Sequence, residues 1–232
     1  MLEIPELKFY FVHIHKNAGR ATEQFLRKVS LSLDIQGVEA NSHGGQSVHG
    51  HATSWMLCNR FPEMKEWRSA ATIRDPLQRL LSAYYWIKGK PAGSEGLNET
   101  DLSTVTSFEG FVDKIHDCWS AVNVGNKEVY SAPNARVKFT PEQFVYPDQT
   151  SYLVGDDGVI VVDAMIRQEY LDTELPAFVA SLFGDVPASL PRLDRVGPSE
   201  KMMTAADVDR QAIDKICEVY SRDYENLGYP KP

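Results

Sequence analysis

The sequence is short of cysteine, of long apolar runs and of positive charge, and each shortage removes a class of function. Its three cysteines, Cys58, Cys118 and Cys217, are odd in number, far apart and without a CxxC spacing. They read as reduced, buried thiols of a cytoplasmic protein, not as a disulfide framework or a zinc ribbon. No apolar run approaches the length of about 18 residues that a membrane-spanning helix needs. The opening "MLEIPELKFY" carries glutamates and a proline where a secretory leader has a basic segment and a long apolar core, so no signal peptide is expected. A net charge of −8 and a pI near 5.3 argue against a broad nucleic-acid surface. They argue equally against a polyanionic partner unless the basic residues gather in one cleft.

What remains is a chain of ordinary globular composition, with 43% apolar and 24% charged residues over 232 positions. That length suits a single domain, residues 1–232, with one sizeable core. Neither an internal repeat nor a low-complexity tract is visible. "KFYFVHI" (8–14) and "SAATI" (69–73) are short apolar runs that read as buried strands. From Ala18 onward, Ala21, Phe25, Leu26, Val29 and Leu33 recur at helical spacing. Asp75 and Pro76 supply an N-cap and a first-turn proline for a helix whose buried stripe is Leu77, Leu80, Leu81 and Tyr84. Helical pattern returns over 107–119 and again over 169–183. "SYLVG" (151–155) and "VIVVDAMI" (159–166) read as strands around a Gly-Asp-Asp-Gly turn. A last helix is expected near Thr204, with Asp207 completing a capping box and Val208, Ala212, Ile216 and Tyr220 on one face. Segments 89–107 and 183–202 are long and turn-rich, and read as loops. Strands alternating with helices predict an α/β fold, a mostly parallel central sheet flanked by helices. Ligands of such folds gather at the carboxyl ends of the strands.

"FVHIHKNAGRATEQFL" (11–26) runs from a strand into a helix through Lys16, Asn17, Ala18 and Gly19. A helix N-terminus offers unpaired N–H groups and partial positive charge. Small residues at Ala18, Gly19 and Ala21 admit an anion to the backbone, and Lys16 adds a full charge. A plain strand–helix junction with a glycine and a lysine has the same pattern. A triphosphate-binding loop needs GxxxxGK[ST], with the lysine after the glycines and a hydroxyl for magnesium, and neither is present.

"TIRDPLQRLLSAYYW" (72–86) ends a strand at Arg74 and opens a helix. Asp75, Gln78, Arg79 and Ser82 share the face opposite the leucine stripe, where an arginine and a serine hydroxyl would clamp a second phosphate. A capped helix with a solvated polar face is the other reading.

Together, "HIHKNAGRAT" and "IRDPLQRLLSAYYW" resemble the two cofactor segments of sulfotransferases that use 3′-phosphoadenosine 5′-phosphosulfate (PAPS). In the second segment Arg74, Asp75, Pro76, Arg79, Ser82, Tyr84 and Tyr85 stand in register with that family's pattern. In the first, His15 replaces a proline, and Asn17, Ala18, Gly19, Arg20 and Ala21 replace a stretch rich in glycine and hydroxyls. Either Arg20 or Thr22 compensates for the missing hydroxyls, or Arg20 points to solvent. The resemblance implies a P-loop nucleotide-kinase-like three-layer fold. It implies that Lys16 and the backbone of Asn17, Ala18, Gly19, Arg20 and Ala21 hold the 5′-phosphosulfate. Arg74 and Ser82 would hold the 3′-phosphate. It extends more weakly to "MIRQEYLDTEL" (165–175) and to "LPRLDRVGPSEKM" (190–202), where Ser199 or Lys201 would touch the nucleotide.

His43, His49 and His51 lie between the two segments. Solvated loop histidines and a zinc site are both conceivable, although no further ligand accompanies them. "VHGHATSWML" resembles the His-Gly-His stretch of the uronyl and heparan sulfate 2-O-sulfotransferases, which implies His51 as general base and His49 as its support. The expected reaction is in-line sulfuryl transfer from PAPS to an acceptor hydroxyl, releasing 3′-phosphoadenosine 5′-phosphate (PAP), with no metal. The acidic chain suggests a neutral or cationic acceptor, a small metabolite or a lightly charged saccharide. A kinase-like phosphotransferase and a non-catalytic nucleotide-binding protein on the same fold are the alternatives.

Overall fold

The computed structural model describes residues 1–89, 104–125, 147–184, 191–193 and 203–232. The expected insertion 89–107 and the stretch holding Ser199 and Lys201 therefore fall largely outside the described residues. In chain order the elements are β1 (Leu2–Ile4), β2 (Phe9–Val12), α1 (Gly19–Ser32), β3 (Glu39–Ala40), β4 (Ser42–His43) and β5 (Gln46–Ser47). There follow α2 (Ser54–Arg60), β6 (Arg68–Ile73), α3 (Pro76–Lys88), α4 (Phe108–Gly125) and the short α5 (Thr150–Leu153). The chain closes with β7 (Ala164–Arg167), α6 (Leu171–Phe183), α7 (Arg210–Val219) and α8 (Ser221–Leu227). Its contacts divide into two compact units, one of Met1–Arg74 with Gln149–Pro198 and one of Asp75–Asp148 with Ser199–Pro232.

The first unit carries the sheet, in the order β3-β1-β2-β6-β7. β2, β6 and β7 are parallel neighbours, while β1 runs against both β2 and β3. Four of the five strands therefore point the same way, a mostly parallel sheet flanked by helices. Alternation along β2 decides what each face meets. Phe9 and Phe11 point to a core with Phe25, Leu26 and Val29 of α1 and with Leu175, Val179 and Leu182 of α6. Tyr10 points the other way, where its hydroxyl meets Cys58 of α2 at 3.7 Å. Cys58 is a free, half-buried thiol, as is Cys217.

The second unit is helical among its described residues. Leu77, Leu80, Leu81 and Tyr84 of α3 pack with Phe108, Phe111, Val112 and Ile115 of α4 and with Ala212 and Ile216 of α7. Asp75 caps α3 as expected, accepting from the Gln78 N–H at 2.9 Å.

Three expectations change. The 151–155 segment is a helical turn, not a strand, and Val154 meets Ile160 in a single isolated bridge. Only Ala164–Arg167 of the next run joins the sheet. Val159 and Val161 lie 59% and 43% exposed, so their branched side chains have no sheet face to cover despite favourable strand propensity. Thr204 and Asp207 do form a capping box, but over a single 3₁₀ turn. The helix proper starts at Arg210, where Asp209 accepts from the Ala212 N–H at 2.7 Å. β1 had no sequence signal, because its three residues are too few to show a period.

Candidate functional site: a strand–helix loop with clustered histidines

β2 and β6 are adjacent and parallel, so the loops that follow them leave from the same end of the sheet. The loop after β2 turns sharply, with Lys16 at φ 68° and Ala18 at φ 61°. Both are left-handed positions that cost non-glycine residues of the order of 1 kcal/mol each. Ala18 is the N-cap of α1 and contributes no side-chain cap, unlike Asp75 of α3 or Thr53 of α2. The first-turn N–H groups of α1 consequently lack the internal partner that a capping oxygen would supply.

Buried hydrogen bonds hold this loop in place. Asn17 is fully buried, and its Nδ2 donates to the Thr72 carbonyl at 2.9 Å and to Gln149 Oε1 at 2.5 Å. Its side chain is thus turned inward, and only its backbone remains for a ligand. Gln149 also grips Arg74, accepting from its N–H at 2.9 Å and donating to its carbonyl at 2.7 Å. The Arg74 guanidinium donates through Nη1 to the Lys16 carbonyl at 3.0 Å. Loop and arginine are therefore one hydrogen-bonded assembly, and part of the Arg74 donor set is committed to backbone. Gln149 carried no local signal in the sequence, since its role exists only through residues distant along the chain.

The hydroxyls missing from this loop are not replaced by Thr22, which is buried with Oγ1 donating to the Ala18 carbonyl at 3.3 Å. Arg20 is exposed. Ala21 is buried against the core, so it offers the loop only its backbone. Gly19 has a further reason to be glycine. A Cβ there would stand 2.2 Å from Cδ2 of the His13 ring, well inside van der Waals contact.

His51 sits beside this loop. Its Nδ1 lies 2.8 Å from the His13 carbonyl. A carbonyl only accepts, so the proton is on Nδ1 and Nε2 carries the lone pair. The His15 ring stacks on His51 with centroids 3.2 Å apart, and the His13 ring meets it edge-on at 4.5 Å. His49 supports it from the backbone, its Nδ1 accepting from the His51 N–H at 3.2 Å. Burial, with the neighbouring His13 adding to it, pushes the His51 imidazole down to about 3. The residue therefore does not titrate near neutrality, as a free histidine would, but stays uncharged. His13 and His15 were not among the expected site residues, although both stand in the quoted segment.

His43 separates from this group. His43 is bound through Nδ1 to Glu3 at 2.7 Å and through Nε2 to Glu63 at 2.9 Å, an ion-paired structural histidine. In the second unit, Arg79 and Ser82 are buried, not solvated, because α3 is covered on this side as well as along its leucine stripe. Arg79 Nη1 donates to the Pro147 carbonyl at 3.0 Å. Among the described residues, no group of three or more His, Cys, Asp or Glu side chains is arranged to hold a metal ion. No family model, curated protein or solved structure matches the chain.

Proposed function

We propose that the chain is a PAPS-dependent sulfotransferase on a nucleotide-kinase-like fold. The observation that carries this reading is the convergence of three separate segments in one unit. The uncapped start of α1, the Arg74 guanidinium bonded to the Lys16 carbonyl and the neutral His51 imidazole share one neighbourhood. The sequence resemblance at 11–26 and 72–86 supplies the identity of the anion.

In this reading the backbone from Asn17 to Ala21 and the Lys16 ammonium bind the 5′-phosphosulfate. Arg74 takes the 3′-phosphate. The acceptor hydroxyl oxygen attacks sulfur, the bond from sulfur to the 5′-phosphate oxygen breaks, and the hydroxyl proton passes to His51 Nε2. PAP leaves with its charge met by Lys16 and the α1 N-terminus. Fixed donors aimed at developing charge supply most of the acceleration in such transfers. An anionic donor bound beside His51 raises its basicity, since a nearby negative charge favours the imidazolium. The acceptor is a neutral or cationic hydroxyl compound, in keeping with the net charge of −8.

The test is to incubate the protein with PAPS and a panel of saccharides and small hydroxyl compounds, reading mass for the gain of one SO₃ group. Transfer to any acceptor supports the reading. Binding of PAP without transfer points to a nucleotide-binding protein. Magnesium-dependent ATP binding without PAP binding points to the phosphotransferase.

A further inference from the structure

The first unit holds a cavity that the transfer proposed above does not use. It is a cleft of about 360 Å³ on the Tyr10 side of the sheet. α2 forms one wall, presenting Trp55, Cys58 and Asn59, which share a face at helical spacing. The opposite wall is the 155–163 segment, with Asp156, Asp157, Val161 and Asp163, and Lys65 and Trp67 complete the lining. This is the segment whose valines have no sheet to join.

The two walls are tied together. Trp55 Nε1 donates to Asp156 Oδ1 at 2.6 Å, and Asn59 Nδ2 donates to the same oxygen at 3.3 Å. Those bonds hold the Asp156 carboxyl below its usual range, so it is ionised at neutral pH. Gly155 sits at the fold of the second wall, where a Cβ would come within 2.9 Å of Val161 Cγ1. Asp163 accepts from the Ser69 N–H at 2.7 Å and from its hydroxyl at 2.9 Å. Ser69 is near the start of β6 and Arg74 follows its end. That corner of the cleft therefore stands roughly 16 Å along the strand from Arg74, while its α2 wall begins shortly after His51.

The lining selects its ligand by charge and by shape. Three carboxylates face one lysine. Asp157 Oδ1 accepts from the Val159 N–H at 3.0 Å, while the second oxygens of Asp156 and Asp157 have no hydrogen-bond partner among the described residues. These oxygens can only accept, so the ligand must donate. Indole faces attract cations more strongly than other aromatic rings do. The half-exposed Val161 adds an apolar strip. A volume of this size takes a compact organic molecule. We propose that the cleft is a ligand site for a small organic ammonium ion bearing an aromatic or branched apolar group. The ammonium lies against the Trp67 ring and the remaining oxygens of Asp156 and Asp157, and the apolar group lies against Val161.

Calorimetry on the full chain tests this with phenethylamine as probe, 3-phenylpropionate as its anionic counterpart and methyl glucoside as a neutral polyol. Saturable binding of phenethylamine alone is expected. Asp157→Asn keeps the oxygen that accepts from Val159 but removes the charge, and should weaken the probe about threefold to fivefold. Trp67→Leu should weaken it about fivefold, and Lys65→Gln, which removes a like charge, should tighten it about twofold. PAP affinity should be the same in all three variants, which separates this site from the transferase reading. Preference for the anion or the polyol, no phenethylamine binding, or binding indifferent to Asp157→Asn overturns the proposal.

Discussion

His51 Nδ1 donates to the carbonyl of His13 at 2.8 Å, and the ring of His13 fills the space that a side chain on Gly19 would need. The proposed base is therefore positioned by the same strand end that builds the anion loop. His13 is a positioning residue in this arrangement, holding the tautomer that leaves His51 Nε2 free of a proton.

His51→Ala should lower kcat by about 10²–10⁴-fold, the usual span for a general base, while the Kd for PAP stays within about twofold of the parent. Single-turnover rates with calorimetry of PAP check this. Equal losses in rate and in PAP affinity would remove His51 from the proton transfer.

Arg74→Ala should weaken PAP more than AMP, because only PAP carries a 3′-phosphate. Since Arg74 also bonds the Lys16 carbonyl at 3.0 Å, some loss towards AMP is expected as the loop loosens. The ratio of the two affinities is the readout. A ratio equal to that of the parent protein contradicts the 3′-phosphate role.

Gly19→Ala should destabilise the protein by about 1–3 kcal/mol through overpacking against the His13 ring. Thermal unfolding measures the loss. In a His13→Ala background, where the clash is absent, Gly19→Ala should cost far less than it does in the parent. An unchanged cost there would show that the backbone at residue 19 matters for another reason.

Asn17→Ala should cost about 1–3 kcal/mol, because it removes the buried amide that donates to the Thr72 carbonyl and leaves Gln149 Oε1 with only the Arg74 N–H. Urea unfolding reads the loss directly. A cost below about 0.5 kcal/mol would mean that the pin under the loop contributes little.

Two histidines should bend the pH–stability curve in opposite directions. His51 is held down to about 3 by burial, so its contribution is complete above its unfolded value of 6.5. It is lost as pH falls towards 3, since the unfolded chain binds the proton first, at about 1.4 kcal/mol per pH unit. His43 is half-buried, which by itself lowers it, yet its bonds to Glu63 and Glu3 raise it above 6.5. Its contribution is complete below 6.5 and fades as pH rises through the folded value. Urea midpoints from about pH 5 to about pH 9 should show a shallower acid limb in His51→Gln and a flatter alkaline limb in His43→Gln. Unchanged limbs in the variants would contradict these assignments.

Local signals make much of this molecule legible from its amino-acid order. The strand–loop–helix at 9–32, the capped start of α3 at Asp75 and the leucine stripe behind it depend on neighbours along the chain, and all are present. Propensity misleads at 151–161, where valines and isoleucine suggest a hairpin but no adjacent strand receives them. It misleads again at Arg79 and Ser82, because a helix pattern cannot show whether a polar face is covered by other elements.

The amino-acid order alone determined a mostly parallel α/β sheet, an anion-compatible turn at Lys16–Gly19 and a histidine-rich loop ahead of Arg74, since periodicity and capping act over a few residues. Only the tertiary structure decided that Gln149 locks Asn17 to Arg74, that His43 serves an ion pair, and that His51 is neutral and stacked on His15. Those facts rest on contacts between residues far apart in sequence and on burial, and neither is encoded in any single stretch of the chain.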